Sequence, residues 1–203
     1  MHKQLYKYFG EYLDYPMTFV NEKIMELVCE YFEKVPDYFY HVPASSTGKY
    51  HPSFDLGDGG LLRHTQMTCE IMKEFQRMDE YKKLNHFDMM IACILHDTFK
   101  NGYVDNKRTV SSHASIAADE FYNTYIYHKY QKDELTETTH NITYDYSGEV
   151  YNRVCNICDM IRTHMGQYGA IKPRTESEKL VHLADYVASR KCWDKFVGVN
   201  NDN

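Results

Sequence analysis

The chain has 203 residues and a formal net charge of −6, and 43% of its residues are hydrophobic. This length suits one well-buried domain and is short for two, while the acidic balance argues against a general electrostatic grip on a nucleic-acid backbone. Small anionic substrates stay compatible with the sequence, because a metal ion or a lysine cluster can reverse the sign of the charge inside a pocket.

No stretch of the sequence approaches the ~20 consecutive apolar residues of a transmembrane helix. The N-terminal segment has neither a continuous apolar run nor a small-residue cleavage site, so no secretory signal is expected. The six cysteines are too few and too evenly scattered to indicate a disulfide scaffold. We therefore expect a cytoplasmic protein with reduced thiols and no membrane partner.

The first predicted helix follows Thr18, which can cap it, and carries apolar residues at helical spacing until it ends before Pro36. Prolines and glycines punctuate the stretch from His41 to Gly60, which indicates a loop. A second helix is expected to begin at Leu61 and to run to about Tyr81.

Four further helices are predicted, each after a residue that can cap its first turn. They run from Phe87 to about Phe99 after Asn85, through Phe121 after Ser111 or Ser112, through His164 after Ser147, and from Leu180 to Arg190 after Thr175 and Glu178. Period-two strand patterns are scarce, so the sequence predicts an all-α fold, a single helical bundle of six or more helices. One domain is expected over 1–203, with its core at about 50–190, a helical N-terminal extension at 1–40 and a frayed tail at 198–203.

The stretch ACILHDTFKNG places a histidine and an aspartate, His96 and Asp97, after the apolar run MMIACIL. Adjacent helical residues point about 100° apart, so both can face inward only from a helix that is surrounded on most sides. The apolar run supplies such a helix. Because a buried polar group costs about 2–7 kcal/mol when it is left unsatisfied, this pair needs partners.

Four other segments each deliver one inward-pointing imidazole or carboxylate. They carry His64 near the start of a helix, His113 at the first turn of another, His164 on an apolar face, and Asp185 among Val181, Ala184 and Ala188. Neutral imidazole and ionised carboxylate are ligands of divalent transition metals, and a metal ion offsets the cost of burying them. A metal site built from these residues is therefore expected.

In this order the residues resemble the HD-domain metal-dependent phosphohydrolase superfamily, over roughly Tyr50 to Arg190. The first motif and the HD-x-x-K spacing are most similar to the HD domains of bacterial exoribonucleases. The motifs that carry the resemblance are HPSFDLGDGGLLRHT, LHDTFK, SSHASIAADEF, IRTHMG and LADYVASR. Phe99 and Thr98 depart from the small and aliphatic residues common in the family, which affects the expected shape of the pocket but not the ligands.

The resemblance implies a centre with one divalent metal ion or, as in the subfamilies that carry two additional histidines, with two. The first metal would be held by His64, His96, Asp97 and Asp185, and the second by His113 and His164, with Asp97 bridging. Mixed imidazole and carboxylate ligands favour Mn, Fe, Co, Ni or Zn over Mg. His140 is an alternative ligand for the second metal, and His182 is expected to lie outside the ligand set.

The function expected from this resemblance is hydrolysis of a phosphoester or phosphoanhydride of a nucleotide by a hydroxide that bridges the two metals, with Asp97 and Lys100 as the catalytic residues. Lys100 would neutralise phosphate charge, and the other expected substrate contacts are Arg63, His51 and Arg174. One or two of the loop tyrosines Tyr50, Tyr103, Tyr144 and Tyr168 are expected to stack on a base. The segment from Asp55 to Gly59 is expected to be a flexible turn rather than a calcium loop.

Three other functions use the same residues. A di-iron oxygenase would bind O₂ where the hydrolase binds water, a nucleotide-binding regulator would hold metal and nucleotide without turnover, and a 3′–5′ exonuclease would cleave short oligonucleotides. The acidic charge and the absence of a separate oligonucleotide-binding domain disfavour the exonuclease. The sequence specifies neither the base, sugar and phosphate number of a substrate nor the oligomeric state.

Overall fold

The prediction of an all-α fold is confirmed. The computed structural model of the protein describes residues 2–135 and 148–196, and within them it contains seven α-helices and no β-strand. The helices are α1 Lys3–Phe9, α2 Phe19–Phe32, α3 Gly60–Gln76, α4 His86–Leu95, α5 His113–Leu135, α6 Glu149–Thr163 and α7 Glu176–Ala188. None of these helices combines the length and the apolar character that crossing a bilayer requires.

Side-chain caps explain where several helices begin. The side chain of Thr18 accepts a hydrogen bond from the backbone amide of Asn21 at the start of α2, and Asn85 does the same for α4. Thr175 caps α7 by accepting from the amide of Glu178. Each cap satisfies an amide that has no partner inside its helix. The predicted cap Ser147 lies outside the described residues.

Three predicted helix ends are wrong by two to five residues. Helix α3 ends at Gln76 rather than Tyr81, and α7 ends at Ala188 rather than Arg190. Helix α4 ends at Leu95 rather than Phe99 because the Thr98 hydroxyl donates to the Leu95 carbonyl and the backbone continues in i→i−3 turns. The chain after Leu95 is therefore a series of turns.

Helix α4 occupies the centre of the molecule. Every residue from Phe87 to Leu95 is buried, and the helix packs against α3, α6 and α7. Such surroundings account for the apolar run from Met89 to Leu95 in this helix. Leu5 and Phe9 of α1 are fully buried in the same hydrophobic cluster, so the N-terminal segment contributes to this core.

Candidate metal centre and adjoining cavity

The structure brings together all six residues that were predicted to share a site. His64 lies in α3, His96 and Asp97 directly follow α4, His113 begins α5, His164 directly follows α6, and Asp185 lies in α7. Five of the six are buried, and the side chain of Asp185 is 18% exposed. Four of them lie at or just beyond a helix end, because that is where the helices around α4 converge.

One half of the cluster surrounds Asp185 and one oxygen of Asp97. Oδ1 of Asp185 lies 2.9 Å from Nε2 of His64 and 3.7 Å from Nε2 of His96. Oδ2 of Asp97 faces the same two nitrogens, at 3.9 Å from His64 and 3.5 Å from His96. These four side chains are the set expected for the first metal.

The other half surrounds the second oxygen of Asp97. Oδ1 of Asp97 lies 3.1 Å from Nε2 of His113 and 3.7 Å from Nε2 of His164. The two imidazole nitrogens are 3.3 Å from each other. The carboxylate of Asp97 therefore presents one oxygen to each half, which is the arrangement of a bridging ligand.

Backbone carbonyls determine which nitrogen each histidine offers. Nδ1 of His96, His113 and His164 lies 2.7, 2.8 and 2.7 Å, respectively, from the carbonyl oxygen of the residue three positions earlier. A carbonyl only accepts, so Nδ1 carries a proton, and the nitrogen that each ring can offer to a metal ion in the cluster is Nε2. Such an outer hydrogen bond is typical of metal-ligating histidines.

The donor set fits a metal ion. Lone pairs of imidazole nitrogens and carboxylate oxygens face each other within a few ångströms, and Nε2 of His96 and Oδ1 of Asp97 are buried without a hydrogen-bond partner. Buried acceptors that point at each other are costly unless a proton or a metal ion lies between them, and this set of ligand atoms could hold a metal ion. His64, His96 and Asp185, and likewise His96, Asp97 and His164, have ligand atoms close enough to share one ion.

Electrostatic coupling inside the metal-free cluster is strong. Burial acts to raise the pKa of Asp97, but Lys100 and His96 outweigh it and hold that pKa well below its usual range. Burial and the neighbouring His96 lower the pKa of His164 to about 3. For His64, burial acts to lower the pKa, but hydrogen bonds to Asp185 and Asp55 outweigh it and raise the pKa to about 9. At neutral pH these shifts predict an imidazolium at His64 and a neutral imidazole at His164.

Next to the cluster lies a cavity of about 250 Å³. The residues that line it include Asp97, His113, His164 and Asp185 of the cluster and His51, Lys100, Tyr50, Tyr168, Tyr186 and Arg190 around it.

Two of the tyrosines that were predicted to stack on a base, Tyr50 and Tyr168, thus line the cavity. Tyr103 instead donates its hydroxyl to Glu120, and Tyr144 lies outside the described residues. A small molecule in this cavity would contact cluster residues directly.

Lys100 lines the cavity, but its ammonium is already paired. Nζ lies 2.5 Å from Oδ2 of Asp97, and the lysine side chain is 12% exposed. In the metal-free protein Lys100 thus supplies part of the positive charge that the buried carboxylate requires.

Arg63 and Arg174 do not reach the cavity. The guanidinium of Arg63 donates to the loop carbonyls of Phe54, Leu56 and Asp58, at 2.6, 3.1 and 2.8 Å. Arg174 is exposed just before α7. The first arginine thus fastens the loop before α3, and neither is among the residues that line the cavity, so their role as substrate contacts stays a prediction.

Arg190 lines the cavity although the sequence analysis did not select it. Its guanidinium carbon lies 4.0 Å from the centre of the Tyr186 ring, and Nε donates to the Tyr186 carbonyl. The spacing of one helical turn between these residues was the available signal. The same spacing is common on exposed helix surfaces, so it does not by itself indicate that α7 faces a cavity.

Two further histidines lie beside the cluster. His182 lines the cavity and its Nδ1 lies 2.7 Å from the carbonyl oxygen of His164, so it contacts a cluster residue from outside. His51 lines the cavity and its Nδ1 lies 3.2 Å from Oδ2 of Asp55. Burial lowers the pKa of His51, although the hydrogen bond to Asp55 opposes that shift. The third, His140, lies outside the described residues.

Asp55 was expected in a flexible turn; turns do follow at Asp58 and Gly59, but Asp55 itself ends a short 3₁₀ helix and is buried. Its side chain is fully buried, and Oδ2 lies 3.2 Å from Nδ1 of His64 and 3.2 Å from Nδ1 of His51.

Comparisons with protein-family models, with curated proteins and with solved structures found no match for this chain. The geometry of the cluster and its cavity is therefore what indicates a function.

Proposed function

We propose that the protein is a metal-dependent phosphohydrolase of the HD-domain type that cleaves a phosphoester or phosphoanhydride bond of a nucleotide. The observation that carries the proposal is the carboxylate of Asp97, whose two oxygens face separate groups of imidazole nitrogens beside a cavity. When bound, two divalent transition metals (Mn, Fe, Co, Ni or Zn) activate water and neutralise phosphate charge.

The chain's own contribution begins with the placement of the ligands. His64, His96, Asp97 and Asp185 are the ligands of the first metal, and His113 and His164 join Asp97 for the second. The Nδ1 contacts to carbonyl oxygens fix the three rings at helix boundaries before any metal binds. Such preorganisation means that little conformational freedom is lost when the centre assembles.

Positive charge and aromatic surface around the cavity suit a nucleotide. With Asp97 engaged as a metal ligand, the ammonium of Lys100 would be available to a phosphate oxygen in the cavity that both residues line. Arg190 adds a second cation on the cavity wall. Tyr50 and Tyr168 also line the cavity and offer flat surfaces on which a base can stack.

The test is a metal-resolved substrate screen. Protein stripped of metal is reconstituted with Mn, Fe, Co, Ni or Zn, and phosphate release is measured on mononucleotides of each base and phosphate number. We expect turnover with at least one metal and none for Asp97→Asn, which keeps the shape but removes the bridging charge. Asp159→Asn, an exposed carboxylate on α6, is the matched control and should retain full activity.

The competing functions give different results in the same screen. Hydrolysis proceeds equally well without oxygen, whereas a di-iron oxygenase loses its activity under anaerobic conditions. An exonuclease prefers short oligonucleotides to mononucleotides and weakens steeply as salt rises. Nucleotide binding without turnover under every metal would contradict the proposal and identify a binding protein.

A further inference from the structure

Asp55 is a buried carboxylate that serves two histidines. It ends the short 3₁₀ helix Ser53–Asp55 in the loop before α3, and its side chain is inaccessible to solvent. Oδ2 lies 3.2 Å from Nδ1 of His51 and 3.2 Å from Nδ1 of His64. The other oxygen, Oδ1, is buried without a hydrogen-bond partner.

One carboxylate oxygen can accept hydrogen bonds from both rings because each oxygen has two lone pairs. When His64 donates from Nδ1, its Nε2 is the nitrogen that faces Asp185 and Asp97. When His51 donates from Nδ1, its Nε2 is the ring nitrogen available to a ligand in the cavity that this residue lines. The two rings also contact each other edge to face, with their centres 4.8 Å apart.

The loop holds Asp55 in place from three directions. The amide and hydroxyl of Ser53 both donate to Oδ1 of Asp194, at 2.6 and 2.7 Å. The backbone carbonyl of Asp55 accepts from the amide of Ala44 at 2.9 Å. A Cβ on Gly60 would overlap that same carbonyl, so only glycine lets α3 begin so close to the loop. The backbone that carries the Asp55 carboxylate is therefore held by contacts that involve no ion.

We propose that Asp55 is a positioning residue shared by the two parts of the site, orienting the metal ligand His64 and the cavity histidine His51 through one carboxylate oxygen. This inference rests on the proposed function and adds a division of roles. Asp55 controls both metal binding and ligand binding, whereas His51 acts on the ligand alone by accepting a hydrogen bond from a hydroxyl group through Nε2.

The division of roles is tested on three variants, with zinc alone and then inorganic phosphate as probes. Zinc affinity is measured by competition with a chromophoric chelator, and phosphate binding to the zinc-loaded protein is measured by calorimetry. Asp55→Asn should weaken zinc binding by about 10–100-fold, as the loss of an outer-sphere partner does in other metal sites. His51→Ala should keep the wild-type zinc affinity and weaken the binding of phosphate, whose monoprotonated form carries a hydroxyl group.

Asp58→Ala is the matched control, since Asp58 is an exposed carboxylate in the same loop. This variant should leave both affinities unchanged. Equal zinc affinities for Asp55→Asn and Asp58→Ala would overturn the proposal, as would wild-type phosphate binding by His51→Ala. If the wild type binds no zinc, the proposed metal centre fails; if it binds zinc with no dependence on Asp55, only the present inference fails.

A measurement on the wild type keeps the inference testable even if Asp55→Asn does not fold. In zinc-loaded protein with ¹⁵N-labelled histidine, NMR reports which ring nitrogen carries the proton. His51 and His64 should both be protonated at Nδ1. A proton on Nε2 of His51, with Nδ1 bare, would overturn the shared hydrogen-bond arrangement.

Discussion

The buried carboxylate of Asp97 depends on several neighbouring side chains for positive charge and hydrogen bonds. Its two oxygens face imidazole nitrogens of both halves of the cluster. Lys100 reaches Oδ2 as well. A carboxylate in such a place is stable only while these neighbours supply positive charge or hydrogen bonds, and the neighbours in turn depend on it.

Replacing Asp97 by alanine should therefore abolish metal binding and lower the free energy of unfolding by about 3–5 kcal/mol, because the change strands the ammonium of Lys100 in the interior. Elemental analysis of the purified variant gives its metal content, and urea unfolding gives its stability. The control Asp159→Ala removes an exposed carboxylate and should match the wild type in both measurements. An unchanged metal content in Asp97→Ala would remove the basis of the ligand assignment.

Lys100 gives a second prediction, because its charge matters most when no metal is bound. Lys100→Met should lower the free energy of unfolding of the metal-free protein by about 3 kcal/mol, since the buried Asp97 loses a cationic partner. The zinc-loaded variant should lose less, because the metal replaces the missing charge. Thermal or urea unfolding with chelator and with zinc measures the difference, and Lys179→Met on the exposed face of α7 is the control.

At the scale of elements, the helix ends determine the site. His96 and His164 each lie one residue beyond a helix, where their Nδ1 atoms approach carbonyls of the last turn. Helix α6 is followed by Gly166, which has a φ of 52°. A Cβ at this glycine would overlap the ring of His182, the side chain that contacts the carbonyl of His164. The end of α6 is thus shaped by α7.

Gly166→Ala should lower the free energy of unfolding by about 1–3 kcal/mol and weaken zinc binding, because it combines backbone strain with displacement of His182. Unfolding curves and chelator competition report the two effects. Gly57→Ala is a matched control, since Gly57 also has a positive φ, of 75°, but a Cβ there meets nothing within 4 Å. Wild-type zinc affinity in Gly166→Ala would show that His182 does not support the His164 ligand.

At the scale of the whole molecule, the cluster concentrates titratable groups in one part of a largely apolar core. The pKa of His164 is lowered to about 3 and the pKa of His64 is raised to about 9, from an ordinary value near 6.5. These opposite shifts affect the stability of the metal-free protein on opposite sides of neutral pH.

The free energy of unfolding of the metal-free protein should be greatest near pH 6.5. Below that pH the unfolded chain binds a proton at His164, whereas His164 of the folded protein stays neutral. The free energy of unfolding therefore falls from about pH 6.5 toward pH 3. Above it the unfolded chain has already lost the proton that folded His64 retains, so stability falls from about pH 6.5 toward pH 9.

Urea unfolding across this pH range with chelator, repeated with zinc, measures the profile. Zinc should remove the alkaline decline, because the metal takes the place of the His64 proton. The exposed His41 provides a control variant, His41→Gln, which should keep the wild-type profile. A stability that does not change with pH in the metal-free protein would contradict the proposed protonation pattern.

The helical fold was predictable because it depends on local patterns. Apolar residues at helical spacing and capping side chains such as Thr18 and Asn85 act within a few residues of themselves. The six clustered side chains were predictable for a different reason, namely that buried His and Asp groups need a common partner. Their role as metal ligands stays a prediction.

The tertiary structure decided which partners each polar side chain has when those partners lie far away in the sequence. The sequence could not place Arg63 on loop carbonyls or Arg190 on the cavity wall, since long cationic side chains adopt whichever partners the fold brings near. Nor could it distinguish Asp55 from an exposed turn residue, because the rings of His51 and His64 meet its carboxylate only after the loop closes onto α3. Sequence determines which groups must be satisfied, and packing determines which partners satisfy them, because a hydrogen bond or ion pair depends on distances that only the folded chain fixes.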